Sequence, residues 1–462
     1  MNDSTNPYES TSPVDSSSDS PAAIAHPLTN PSFVGFVTTQ FLGAFNDNLF
    51  KQLLLLLAMP VVVAGAGPQG PDLQGVATVV FGIPFVLFGG LAGYFADRFS
   101  KRRVIVLSKV GEIVVMALGL LAFLAAPVIG FWGLWVVLFL MGMQSAFFGP
   151  GKYGILPEML KPNQLARANG IVLMTTFIAI IFGTSMAGWL KDALVAPNLP
   201  RFTAARELWL GSLICIGIAV LGTAASFLVH KVKPAAPGLP FKYSYLGVPK
   251  VMISLLRRDR ALLLALGASC VFWLIAGLTL QAVNSLCAQQ LGLSATLTSL
   301  MVALISVGIA VGGALAGWMS RGGDGHRVMV IGMWGVVVAC ALLAISVPGQ
   351  GHLLGFYGSI PALILLGGAA AFFAIPIQVF LQARPPEDLK GRMIAVMNQA
   401  NFFAIVVSGV AYMALDALIT AMNWPRSALF AAMALLFLPV AIGYRIGSDP
   451  EPAEAALNAS TS

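Results

Sequence analysis

Charge is scarce in this chain. Asp, Glu, Lys and Arg make up 10% of its 462 residues, 58% are hydrophobic and the mean hydropathy is +0.85, whereas a soluble domain carries roughly a quarter charged residues. That shortage excludes a soluble globular protein and implies a polytopic membrane protein. Cysteine and histidine are equally sparse. Cys215, Cys270, Cys287 and Cys340 form no C-x-x-C pair, and His26, His230, His326 and His352 stand far apart, so neither a metal nor any other cofactor is expected. No G-x-S-x-G, paired catalytic carboxylates or His-Asp acyltransferase box occurs, which argues against an enzyme. Residues 1–31 lack Lys and Arg and are rich in Ser, Thr and Pro. This excludes a signal peptide and reads as a disordered cytoplasmic tail.

What is abundant is long apolar runs. Spans are expected near 33–64, 74–96, 104–126, 131–156, 164–190 and 208–230, and again near 261–287, 296–319, 328–347, 358–382, 393–416 and 427–446. The fold class is therefore an all-α polytopic membrane protein with twelve transmembrane helices. The net charge of +7 is spread over short loops, which speaks for topology and against a nucleic-acid partner. Arg98, Lys101, Arg102 and Arg103 lie between spans 2 and 3, and Lys231, Lys233, Lys242, Lys250, Arg257, Arg258 and Arg260 between spans 6 and 7. The alternate loops hold only Lys191, Arg201, Arg206 and Arg426, so both termini are expected in the cytoplasm. The stretch Tyr243 to Leu256 is expected to lie at the membrane surface.

Internal similarity divides the chain. Gly89-x3-Gly93-x3-Asp97 recurs as Gly313-x3-Gly317-x3-Arg321, and Pro157-Glu158-Met159-Leu160-Lys161 with Asn169 recurs as Pro386-Glu387-Asp388-Leu389-Lys390 with Asn398. Two six-helix halves follow, over 32–230 and 261–446, with a cytoplasmic linker over 231–260 and a tail over 447–462. A substrate site is expected where the halves face each other.

The strongest chemical signal is Asn46-Asp47-Asn48 with Lys51, in the middle of span 1. A charge at the bilayer centre costs about 2.5 to 3.5 kcal/mol on insertion scales, so a function is expected of it. Gln40, Gly43, Asp47 and Lys51 share one helix stripe, which makes Gln40, Asn46, Asp47, Asn48 and Lys51 candidate substrate contacts. The alternative is an Asp47–Lys51 pair that only holds helices together. Lys109 and Glu112 on span 3 read as an i,i+3 pair, with the Lys109 stem reaching the interface and Glu112 a candidate for proton coupling. Phe148-Gly149-Pro150-Gly151-Lys152-Tyr153-Gly154 is no phosphate-binding loop, since no strand precedes it and Tyr follows the Lys. It does place the cation of Lys152 at the inner end of span 4. The amides of Gln281, Asn284, Asn398, Gln399 and Asn401 are weak signals, and Phe272-Trp273 reads as packing or lipid-facing.

Gly93-Tyr94-Phe95-Ala96-Asp97-Arg98-Phe99-Ser100-Lys101-Arg102-Arg103 resembles the loop 2–3 signature of the major facilitator superfamily, with Ser100 and Lys101 where Gly and Arg are usual. Gly93, Asp97, Arg98 and Arg102 are then expected to form a conformational gate, Gly93 admitting a close helix crossing. The strings Gln40-Phe41-Leu42-Gly43-Ala44-Phe45-Asn46-Asp47-Asn48-Leu49-Phe50-Lys51 and Phe147 to Glu158 resemble the lysophospholipid transporter branch of that superfamily. The resemblance implies the major facilitator fold and a monomer in the bacterial inner membrane. Its cargo would be lysophospholipid, above all lysophosphatidylethanolamine, delivered from among membrane lipids to a separate acyltransferase. Asp47 and Lys152 match the family's functional motifs, and Gln281 stands where some members have Arg. A proton-coupled exporter of small amphiphiles shares the fold and is the alternative.

Overall fold

The computed structural model describes residues 28–63, 67–197, 199–241, 247–320, 325–347, 351–386 and 389–444. Both tails, residues 1–27 and 445–462, lie outside the described residues, as do Lys242, Tyr243, Arg321, Glu387 and Asp388. Helices α1 (Pro31–Ala58), α2 (Gln74–Arg98), α3 (Lys101–Ile129), α4 (Trp132–Gly154), α5 (Leu156–Met159), α6 (Pro162–Leu194), α7 (Arg201–Glu207) and α8 (Trp209–Ser226) form the first half. After the short α9 (Lys250–Arg258), the second half comprises α10 (Arg260–Ser285), α11 (Ala295–Met319), α12 (Gly325–Ala344), α13 (Gly355–Ala383), α14 (Lys390–Ala421) and α15 (Ala428–Gly443). Twelve of these helices have 16 residues or more. Ten are long and apolar enough to cross a membrane. The other two are α1, whose polar cluster dilutes its apolar run, and α15, with 16 residues.

Local sequence sets the helix ends. Asn30 caps α1 through Ser32 N, Pro31 occupies its first turn, and Pro60 ends the first run earlier than its apolar length suggests by holding Met59 extended. The chain then turns through a hairpin, Val61–Val63 against Gly67–Gln69. Gly130, with φ +62°, closes α3. The fourth run likewise breaks, into α4 and the turn α5. On α3, Leu107, Val114, Leu118, Leu121 and Val128 form an exposed apolar stripe at helical spacing, as lipid contact requires. Amphipathic α9 buries Met252 and Leu256 beneath its basic residues.

Each half has its own core. Phe50 packs on Phe123 in the first, and Phe373 on Phe437 in the second. The halves meet through α2 with α14 and α6 with α11. Gly75 and Gly409 let the backbones of α2 and α14 touch, since a Cβ on either would stand about 2.5 Å from the other's carbonyl oxygen. Further along the same pair Phe85 stacks on Phe402 at 3.7 Å, and Gln399 Nε2 donates to Val86 O. Beyond that point α2 parts from α14. Gly89 and Gly93 face open space, so the close crossing expected at Gly93 is absent in this conformation.

The halves are thus fastened at the end that carries the hairpins. There Asp72, buried, accepts from Gln74 N, Gln74 Nε2, Gln289 Nε2, Ser285 Oγ and Tyr412 OH, and Asn284 Nδ2 donates to Gln74 Oε1. On the rim, Asp192 of α6 accepts from Ala295 N at 3.0 Å, Thr296 N at 2.7 Å and Thr296 Oγ1 at 2.6 Å. One half thereby caps a helix of the other.

Replacing the Asp72 carboxylate leaves buried donors unmatched at about 1–3 kcal/mol, roughly five- to 150-fold in a two-state equilibrium. Asp72→Asn should therefore populate a conformer open at the hairpin end. Spin labels at exposed Ala196 and Leu353 would report it as a longer distance population; an unchanged distribution would show that Asp72 does not hold the halves together.

Candidate functional site

The polar stripe of α1 meets a different helix at each step. Gln40 Nε2 donates to Thr175 Oγ1 on α6 at 2.6 Å, and Thr176 Oγ1 donates to Gln40 Oε1 at 2.9 Å. Gly43 leaves room for the Lys109 ammonium, which a Cβ there would strike. Ser145 Oγ of α4 donates to Asp47 Oδ2 at 2.6 Å. Lys51 lies over the Phe81 ring of α2, 5.2 Å from its centroid. The Asp47–Lys51 ion pair, the alternative reading of this stripe, does not form, because each side chain finds a partner on another helix.

Behind Asp47 lies a buried ion pair. Lys109 and Glu112 are each 1% exposed and bonded to each other. Asn46 Nδ2 donates to Glu112 Oε1 at 2.8 Å, Gln144 Nε2 reaches Glu112 Oε2 at 3.4 Å, and the Lys109 ammonium lies 5.1 Å from the Phe148 ring centroid. Lys109 therefore does not reach toward the interface as its place on span 3 suggested. Glu112, one turn on, and the gap at Gly43 hold it inside. Asn46 belongs to this structural knot, and Asn48 Nδ2 bonds to its own helix at Ala44 O.

Asn46 Oδ1 and Asp47 Oδ1 are both buried without a hydrogen-bond partner, and of the two residues only Asp47 has an ionisable side chain to offer a cation. Lys152 Nζ donates to Thr176 Oγ1 at 3.3 Å and so joins the chain to Gln40. Ser145 and Lys152 are seven residues apart on α4, hence on one face and about 10 Å apart along the axis. The flexible stem of Lys152 can span much of that gap. An anion and a cation are thus presented on one wall.

The gate residues sit elsewhere. Asp97 is exposed, and its carbonyl accepts from Ala236 N of the linker. Arg98 bonds to Tyr94 OH and Leu239 O, and Arg102 Nη2 donates to Phe227 O at 3.1 Å. Together they tie the linker and the end of α8 to α2 and α3, and they touch none of the Asp47 cluster.

A cavity of about 260 Å³ lies beside the cluster. Asn48, Lys51, Gln52 and Thr184 line it from the first half, and mostly apolar side chains from the second. Phe272 and Trp273, expected in packing or facing lipid, are in its wall. Gln281 is fully buried and bonds to Gly277 O. Sequence reasoning missed Gln144, Ser145, Thr175, Thr176 and Asp72. A polar pair at 144–145 inside an apolar run was a usable signal for the first two; nothing local marks Asp72.

Removing one member of a buried pair strands the other at about 3–5 kcal/mol, whereas apolar replacement of both is often neutral. Glu112→Ala should lower the melting temperature of the purified protein by several degrees, and Lys109→Met with Glu112→Leu should recover most of the loss. Full stability of Glu112→Ala would remove the pair's structural role.

The sequence pattern of the Major Facilitator Superfamily matches residues 36–409. The chain is 29% identical over 386 residues to the lysophospholipid transporter LplT of Pectobacterium carotovorum, covering 81% of this chain and 84% of that one. It is 27% identical over 394 residues to LplT of Klebsiella pneumoniae, covering 82% and 88%. Among solved structures, the nucleoside transporter NupG superposes with a TM-score of 0.59 at 13% identity over 89% of this chain and 96% of that one. The transporter FucP in its outward conformation gives 0.59 at 15% over 89% and 97%. These two likenesses concern the fold. With twelve long helices in two packed groups and a pattern match across most of its length, the chain belongs to the Major Facilitator Superfamily.

Proposed function

We propose that this protein is a secondary transporter that moves lysophospholipids, with lysophosphatidylethanolamine as its principal cargo, across the bacterial inner membrane. The observation behind this reading is the wall of α1 and α4, which carries the unpartnered Asp47 oxygen and the Lys152 ammonium, one group to match each charge of a zwitterion. The phosphate would pair with Lys152 and the ammonium with Asp47, each charge-assisted and each matched to one end of phosphoethanolamine. Lys51 and Asn48 line the adjoining cavity, Gln40, buried, positions Thr176 beside Lys152, and Asn46 acts through Glu112 as a positioning residue. The names of the LplT relatives support a lysophospholipid as the cargo.

Alternating access follows from two halves that rock about the site. We assign the end holding Asn30 and the linker to the cytoplasm because the basic loops gather there, which places both termini inside. The hairpin-end contacts of Asp72 and Asp192 then close the outer side. Asp97 and Arg98, now holding the linker, and Arg102, now holding the end of α8, would take new partners when the inner side closes, and Gly93 would then admit the close crossing. A monomer suffices for this cycle, and a separate acyltransferase would consume the delivered lipid.

Asp47→Asn and Lys152→Ala should each reduce lysophosphatidylethanolamine uptake in spheroplasts at least tenfold with normal membrane insertion. Their losses should not add, since both act on one bound lipid. A lysophospholipid without an ammonium should be hurt more by Lys152→Ala than by Asp47→Asn. Equal sensitivity to the two would take Asp47 out of headgroup recognition.

A further inference from the structure

A cluster of bases on the second half has no part in the cargo site. Helix α9 is amphipathic, yet its apolar face is already taken, because Met252 and Leu256 are buried in the core of the second half against α10 and α14. Its opposite side carries Ser254, Arg257 and Arg258, all exposed. Arg260, also exposed, opens α10 immediately afterwards. Leu263 and Leu264, three and four residues on and so on the same face of α10, are 47% and 49% exposed. That face of a long apolar helix meets lipid, and Arg260 extends it to the level of the headgroups.

Arg257, Arg258 and Arg260 form no ion pair among the described residues. Asp259, which stands between them, caps α10 through Leu262 N and is held by Arg384 just past the end of α13. It is therefore engaged elsewhere. Topology alone asks only for basic residues somewhere in the loop, whereas these three gather where the chain enters the bilayer. Guanidinium forks match phosphate oxygens, and a phosphate with no ammonium of its own to offset it is the better partner. We infer that Arg257, Arg258 and Arg260 form a docking surface for an anionic two-chain phospholipid of the surrounding leaflet, of the phosphatidylglycerol class, separate from the cargo site. The linker is fastened to the first half where Ala236 N donates to Asp97 O and Leu239 O accepts from Arg98. Lipid at α9 anchors the other end of that linker in the headgroup layer of the second half.

A fluorophore on Ser254→Cys samples this surface in the full-length protein, with Cys270→Ala in the background because the other three native thiols are buried. The labelled protein is placed in phosphatidylcholine nanodiscs that contain a minor fraction of brominated phosphatidylglycerol or of brominated phosphatidylcholine, and quenching is compared. One base beside an anionic headgroup contributes about fivefold to its attraction, so phosphatidylglycerol should be enriched at the label by at least about fivefold. Arg257→Gln with Arg258→Gln and Arg260→Gln should bring the two lipids to within about twofold of each other, at an unchanged melting temperature. Should that triple variant not fold, Arg257→Gln alone should lower the enrichment by about twofold or more. Lys231→Gln with Lys233→Gln, which removes exposed bases that follow α8, should leave it unchanged. An excess of soluble glycerophosphoglycerol, the headgroup without its chains, should not relieve the quenching. Absence of enrichment in the unsubstituted protein, an equal loss in the lysine and arginine variants, or relief by the soluble headgroup each overturns the assignment.

Discussion

Lys109 and Glu112 face each other where neither reaches water, and three helices are arranged around that pair. Asn46 brings α1 to it, Gln144 brings α4, and both charged residues belong to α3. A buried ion pair is no source of net stability by itself, because desolvating two charges offsets most of their attraction. What it supplies here is register. With Asn46 bound to Glu112, the next residue of α1 is turned toward Ser145, and Asp47 is left with one satisfied and one unsatisfied oxygen. A reactive acceptor in an apolar interior persists only when its surroundings over-determine it, and the neighbouring pair does that.

The same economy of polar contacts governs how the halves meet. Glycines bring α2 to α14 and α6 to α11 at backbone distance, where dispersion alone favours contact in lipid. The Asp72 network and the Asp192 cap then add directional bonds on the hairpin side. Past Val86, Gly89 and Gly93 of α2 face open space. One end is closed by packing and hydrogen bonds together and the other is not, which is the asymmetry an alternating-access cycle requires.

Most of the fold was legible because apolar runs of membrane length have few alternatives, and Pro60 and Gly130 punctuate them locally. The hairpin after α1 was not, since Val61 to Val63 continue an apolar run by composition. At the site, Asp47 and Lys152 stood out as charges in apolar surroundings. Their partners did not, because Ser145, Thr175 and Thr176 are small polar residues that membrane helices carry for many reasons. Lys109 was misplaced because helix position alone cannot show that Gly43 of another helix leaves a hole for its ammonium. That Trp273 also borders a cavity was not legible either, since which face of α10 meets a cavity is decided by packing between helices.

If the α1–α4 wall carries the headgroup, this chain alone moves a lysophospholipid from one leaflet to the other. Purified protein reconstituted into liposomes, with fluorescent lysophosphatidylethanolamine added outside and the external fraction removed by albumin, measures that directly. Lipid should become protected from albumin much faster than in protein-free vesicles, and Asp47→Asn protein should return the rate toward that background. Protection at the protein-free rate with the wild-type chain would contradict it.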